Sequence, residues 1–193
     1  MQVFSEGEYF EETFELLKAP ELSISAVQFE ACTFKGCAFP RATFFNCTFS
    51  DCIFEACDLS SARFGASRLN GVDFSECKLM GIQWVDTHDI LFSASFRGCQ
   101  LDYANFFGMK LKKLSLVDCH AHEVSFQEAD LSGADFSGTD LTRSIFASTN
   151  LQKADFSEAH SYTIDPQINK VKGAVFSFPS VSALLEPFDI KIR

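Results

Sequence analysis

An all-β solenoid is the fold that this sequence predicts, and three observations predict it. An apolar residue recurs at every fifth position from Ile24 through Phe34, Phe44, Phe54, Phe64 and Phe74 to Trp84, and again from Leu91 through Phe136 to Phe156, with Ala121 the only small member. Neither a 3.6-residue helix nor a 2-residue strand sustains a spacing of five, so the chain is a repeat protein. The residue two before each of these is small or modestly apolar, as in Val27, Cys32, Ala42, Ala129 and Ala134, so two residues in five point inward. A flat segment of about three extended residues followed by a turn can stack on its counterpart one coil below at roughly 4.8 Å, ordinary strand spacing. Each coil then satisfies its neighbour's backbone, and no single repeat buries its apolar face alone.

Taken in chain order, the first element is an acidic end. Phe4, Tyr9 and Phe14 keep the phase, whereas Ala19 and Pro20 interrupt it, so the first coil is expected to be irregular. Glu6, Glu8, Glu11, Glu12, Glu15 and Glu21 read as a solvated cap. The body follows, with Phe34, Phe54, Phe64, Phe74 and Phe136 among the expected core residues. Between Trp84 and Leu91 the spacing is seven instead of five, so the segment 85–90 is expected to bulge. Loops on rigid scaffolds often carry function, which makes Asp86, His88 and Asp89 candidate partner contacts; a tolerated insertion without a role is the equal alternative. After Phe156 the repeat is expected to stop. This divides the chain into a coil body, residues 1–160, and a capping and dimerisation extension, residues 161–193.

The extension reads as a turn at Asp165-Pro166, a short strand, a helix from Ser177 to Glu186 with Pro179 in its first turn, and an edge strand from Asp189 to Ile192. Phe176, Phe178, Leu184, Leu185, Phe188 and Ile190 are too many apolar groups for a free tail. Some are expected to cover the coil end and others to meet a second copy.

Composition bounds the function. The 193 residues suit one domain, and a hydrophobic content of 47% with 23 Phe supplies a core without metal or staple. Residues 1–20 lack a signal-peptide pattern and no apolar run approaches a membrane span, so no membrane association and a cytoplasmic location are expected. The net charge of −10 argues against nucleic acid as a direct ligand and favours a basic protein surface. All eight cysteines occupy the inward companion position, where parallel stacking disfavours disulfides, so they are expected to be core thiols. His120, His122 and Glu123 could be imagined as a metal site, but outward residues on a flat side are simply neighbours; no metal, cofactor or catalytic site is expected. Lys110, Lys112 and Lys113 face Asp130 one coil on, which reads as charge balance. No phosphate loop, HExxH or nucleophile elbow is present, and the protein is not expected to be an enzyme.

The run Ala129-Asp130-Leu131-Ser132-Gly133, followed by Ala134-Asp135-Phe136-Ser137-Gly138, resembles the pentapeptide-repeat family, whose consensus is A-[DN]-[LF]-x-x. The resemblance extends over nearly all of residues 22–158. It implies a right-handed parallel β-helix of square cross-section, with four pentapeptides per coil. Phe34-Lys35-Gly36-Cys37-Ala38-Phe39, the single Trp84 before a loop, and the tail with Ile164-Asp165-Pro166, Phe176-Ser177-Phe178-Pro179, Leu184-Leu185 and Ile190-Lys191-Ile192 are similar to one branch of it. That branch holds the Qnr quinolone-resistance proteins, MfpA, and the microcin and albicidin immunity proteins. Qnr proteins carry longer projecting loops, from which this chain departs with a two-residue excess. The resemblance implies a DNA mimic that binds bacterial DNA gyrase or topoisomerase IV, protects it from quinolones or gyrase-targeting toxins, and dimerises through its tail. A generic acidic interaction rod is the alternative. Seven coils would span roughly 34 Å with sides of roughly 13 to 16 Å, approaching duplex width. Since 34 Å of duplex carries about 20 charges, a net charge of −10 is half-strength mimicry.

Overall fold

The computed structural model describes residues 4, 7–88, 92–188 and 190. They form a right-handed, four-sided parallel β-solenoid of about eight turns. On the second side, the strands Thr13–Glu15, Thr33–Lys35, Ile53–Glu55, Val72–Ser75, Ala94–Arg97 and Ser115–Val117 make a six-stranded parallel sheet. Its ladder continues through Asp135 and Asp155 to Val175. Period five puts the same residue of each pentapeptide above its counterpart twenty residues on, so Phe34 stacks on Phe54 at 4.5 Å and Phe54 on Phe74 at 5.0 Å. The fourth side carries a matching column in which Phe64 lies between Phe44 at 5.0 Å and Trp84 at 5.5 Å. Rings from neighbouring sides meet edge-on, as Phe126 and Phe136 do at 5.6 Å. Phe34, Phe54, Phe64, Phe74 and Phe136 are all fully buried. Each such ring contributes roughly 1.5–3 kcal/mol of burial, plus the preference of aromatic pairs for these geometries.

The corners explain the small companions. Two residues after most of the central ones, the chain turns through the left-handed region, as at Asn46 (φ 52°), Asp51 (φ 51°) and Gly71 (φ 65°). At Gly71 and Gly138 a Cβ would collide with the carboxylate of Asp51 or Asp118 on the coil before, so a larger residue there must displace that side chain. Where a companion is Ala, its amide donates to the carbonyl three residues back, as in Ala62 to Leu59 at 2.9 Å. At other companions, among them Cys47, Cys119, Val124 and Thr149, a side chain from the next coil accepts instead. The Cys47 amide donates to Ser67 Oγ at 2.9 Å, that hydroxyl donates to the Phe44 carbonyl at 2.9 Å, and Thr139 repeats the arrangement with Cys119 and Leu116. Thiols fill the same place: the Cys57 amide donates to Cys77 Sγ, and Cys57 Sγ donates to the Phe34 carbonyl at 3.2 Å. Buried polar companions are thus satisfied corner pins.

All eight cysteines are free and buried, and burial pushes the Cys52 thiol up to about 11. A buried neutral thiol is a poor nucleophile. A disulfide reagent is therefore expected to label native protein slowly and all eight thiols after denaturation; rapid native labelling of several would contradict the corner assignment.

The structure departs from the sequence expectation at both ends of the solenoid. The first coil is regular: Ala19 keeps its place, its amide donating to the Ala38 carbonyl at 2.9 Å, because a small residue still fits the shared inward column. Phe4 lies edge-on to Phe14 and Phe29 as a plug in the open core. At the other end the coil runs past Phe156, since Ser161 and Pro166 break only the apolar pattern. Buried Ile164 and Asn169 hold the companion column, and Phe176 stacks on Phe156 at 5.0 Å. The expected short strand is Val175–Phe176. The expected helix is a 3-10 helix, Ser180–Phe188, starting after Pro179 and containing Pro187. The expected strand at 189–192 lies, except for Ile190, outside the described residues.

Candidate functional site

Stacking turns sequence spacing into charged stripes. The second side and its corner carry Glu15, Glu55, Asp73, Glu76, Asp118, Asp135, Asp155 and Glu158, against Lys35 and Arg97. Lys35 is engaged by Glu55 at 3.3 Å. Asp73 accepts from the Ser95 hydroxyl, and Asp135 accepts from the Ser137 amide and hydroxyl, which fix their carboxylates along the ladder. The first side is the reverse in its later coils, where Lys110, Lys112, Lys113, Lys153, Lys170 and Lys172 gather around Asp130. Lys112 reaches Asp130 at 3.6 Å. The net charge is therefore concentrated on one flat side, a segregation that composition conceals and twenty-residue spacing would have exposed.

The candidate loop begins close to the body. Trp84–Asp86 is a 3-10 turn, and Thr87 is buried with its hydroxyl donating to the Trp84 carbonyl at 2.6 Å. Ala66 N–H donates to the Asp86 carbonyl and His88 N–H to the Ser67 carbonyl, both at 2.9 Å. Through His88, then, the chain follows the coil beneath instead of bulging from residue 85, because these backbone bonds are retained. Asp86 is exposed. His88 is half-buried, and among the described residues its Nδ1 has no hydrogen-bond partner. Asp89 lies outside the described residues. Register is regained with the two-residue excess absorbed, Val72 pairing with Ala94.

The tail separates the six apolar candidates. Phe176 and Leu184 pack partly buried against the core end. Phe178 is 89% exposed, and Leu185, Phe188 and Ile190 are exposed with it. Phe178, Val181, Leu184 and Leu185 line a shallow apolar groove.

On the third side, the histidines that sequence reasoning set aside acquire a partner it did not consider: Asp140 stands one coil above His120. Partial burial opposes ionisation of Asp140, but Thr142 and His122 outweigh it and hold the carboxyl down at about 2. No described helix is long and apolar enough to cross a membrane.

A family model described as a pentapeptide repeat region matches residues 27–106 and 89–165. No curated protein matches the chain by sequence. Among solved structures, trypsin-treated QnrB1, described as a plasmid-mediated fluoroquinolone resistance protein, aligns over 97% of this chain and 98% of its own, with TM-score 0.67 and 23% identity. A second trypsin-treated form aligns over 94% of this chain and 100% of its own, with TM-score 0.62 and 23% identity. Full-length QnrB1 gives TM-score 0.50 at 20% identity, over 95% of this chain and 100% of its own. At these identities the likeness is one of fold.

Proposed function

The chain belongs to the pentapeptide-repeat family, and from that premise we propose that it imitates duplex DNA, binds a bacterial type II topoisomerase (DNA gyrase or topoisomerase IV), and protects it from quinolones or gyrase-targeting toxins. The observation that carries this reading is the acidic second side, which runs from Glu15 to Glu158 and is interrupted by Lys35, itself paired with Glu55, and by Arg97. Eight steps of roughly 4.8 Å give a rod of roughly 38 Å. One DNA strand of that length holds about 11 phosphates, whereas this side has a net charge near −6. Such a stripe enters a basic DNA-binding groove yet is displaced by DNA itself, which suits transient protection better than permanent blockade. A homodimer through Phe178, Leu185, Phe188 and Ile190 would double the rod, and Asp86, His88 and Asp89 are the candidate added contacts.

Purified protein is expected to reduce quinolone- or toxin-stabilised gyrase cleavage at low dose and to inhibit supercoiling at high dose. Both effects should weaken as salt rises. Replacing residues 85–90 with a plain pentapeptide side should weaken protection without changing the fold. If neither effect is seen, a generic acidic interaction rod is the better reading; the lysine-rich first side, which DNA mimicry does not need, is the observation that favours it.

A further inference from the structure

Three of the four histidines lie on the third side of the solenoid, which meets the acidic side at the corner that holds Asp118 and Glu158, and they converge on one carboxylate. Parallel bridges stack His120, Asp140 and His160 on successive coils. His122 projects beside them. Its Nε2 is 3.0 Å from Asp140 Oδ2, and His160 Nε2 is 3.8 Å from the same oxygen. One ligand atom each from His120, His122 and Asp140 falls within 4.8 Å of the others.

The carboxylates around this cluster are arranged with a division of labour. Asp140 Oδ1 accepts the Thr142 amide at 3.0 Å and the Thr142 hydroxyl at 2.7 Å, so Oδ2 is the oxygen presented to the imidazoles. Asp102 Oδ1 accepts the His122 amide at 3.0 Å and lies 3.8 Å from His122 Nδ1. At 3.8 Å this is not a hydrogen bond, but it places a carboxylate on the Nδ1 side of the ring whose Nε2 faces the cluster, the position from which metal-bound histidines ordinarily receive outer support.

We propose that the third side binds one divalent transition-metal ion of the zinc class through His120, His122 and Asp140, with His160 in reach as a fourth ligand. Imidazole nitrogens with one carboxylate suit zinc, cobalt, nickel or copper, whereas calcium and magnesium require mostly oxygen donors. Bonds of about 2.0–2.2 Å place tetrahedral donors roughly 3.4 Å apart, so modest side-chain rotations on a fixed backbone ladder close the set. The ion would clip consecutive coils together at a point where the stacked side chains are polar. This proposal is independent of the topoisomerase reading.

Untagged protein, stripped with chelator and dialysed, would be titrated with Zn²⁺ by calorimetry and with Co²⁺ by visible absorption. The expected result is one ion per chain, cobalt ligand-field bands without thiolate charge-transfer bands, and a melting temperature raised by Zn²⁺ and restored by chelator. H120A retains the His122–Asp140 pair and D140N breaks it, yet both are expected to weaken binding at least about tenfold. Circular dichroism of the metal-free variants confirms that they remain folded. Absence of binding, binding unchanged in folded H120A and D140N, or a cobalt spectrum dominated by thiolate bands would overturn the site.

Discussion

Phe64→Asp is expected to abolish cooperative folding. Phe64 is fully buried, stacked between Phe44 at 5.0 Å and Trp84 at 5.5 Å and edge-on to Phe49 at 5.9 Å. Removing the ring alone costs about 3–5 kcal/mol, and a carboxylate with no partner in an aromatic column adds the penalty of an unpaired buried charge. Nearest-neighbour coupling passes the damage to the coils on both sides. Phe45→Asp is the control, because Phe45 is 56% exposed on the outside of the same side and should change the melt far less. Thermal and urea denaturation read the difference; a wild-type melting temperature for Phe64→Asp would contradict the stacked core.

Deletion of residues 177–193 is expected to give a monomer or an insoluble chain. The deletion uncovers the last rung, where Phe176 lies on Phe156 and Tyr162 at 5.0 and 5.8 Å, and removes Leu184, which packs against the core end. An open solenoid end exposes both apolar core and unpaired strand edges. Because insolubility alone would not separate capping from dimerisation, the double variant Phe178→Ser, Leu185→Ser is the sharper test. Both side chains are exposed in one chain, so losing them should leave the melt nearly unchanged while sedimentation velocity shows a monomer. An unchanged dimer in either protein would remove the tail as the interface.

What was legible in the sequence was whatever the coil repeats rigidly. Phe54 and Phe74 could be placed because a period of five fixes which residues point inward, and Cys37 or Cys77 because the companion position follows from the same count. The first coil was misread at Ala19, where loss of bulk was taken for loss of geometry. The stop at Phe156 was misread for the same reason: Ser161 and Pro166 interrupt the apolar signal, but Ile164, Asn169 and the Asn150–Lys170 bridge carry the backbone onward. The tail helix was legible as a helix but not as 3-10, since Pro179 and Pro187 constrain it from both ends. Nearest-neighbour reasoning paired His120 with His122 along the chain and overlooked Asp140, which is twenty residues distant in sequence and adjacent in space. The acidic stripe was hidden for that reason as well. Charge on a solenoid has to be read in columns, and the net value of −10 averages an acidic side with a basic one.

Displacement of DNA is the most direct test of mimicry. Labelled duplex bound to purified gyrase would be titrated with the protein and followed by fluorescence anisotropy, alongside a variant with Asp73, Asp118, Asp135 and Asp155 changed to Asn. The expected result is complete displacement by the wild-type protein, competitive with DNA and weakened by salt, and a loss of at least about tenfold in the variant, since several favourable charge contacts disappear together. Gyrase binding that leaves DNA in place, or displacement equally strong with the neutralised stripe, would contradict it.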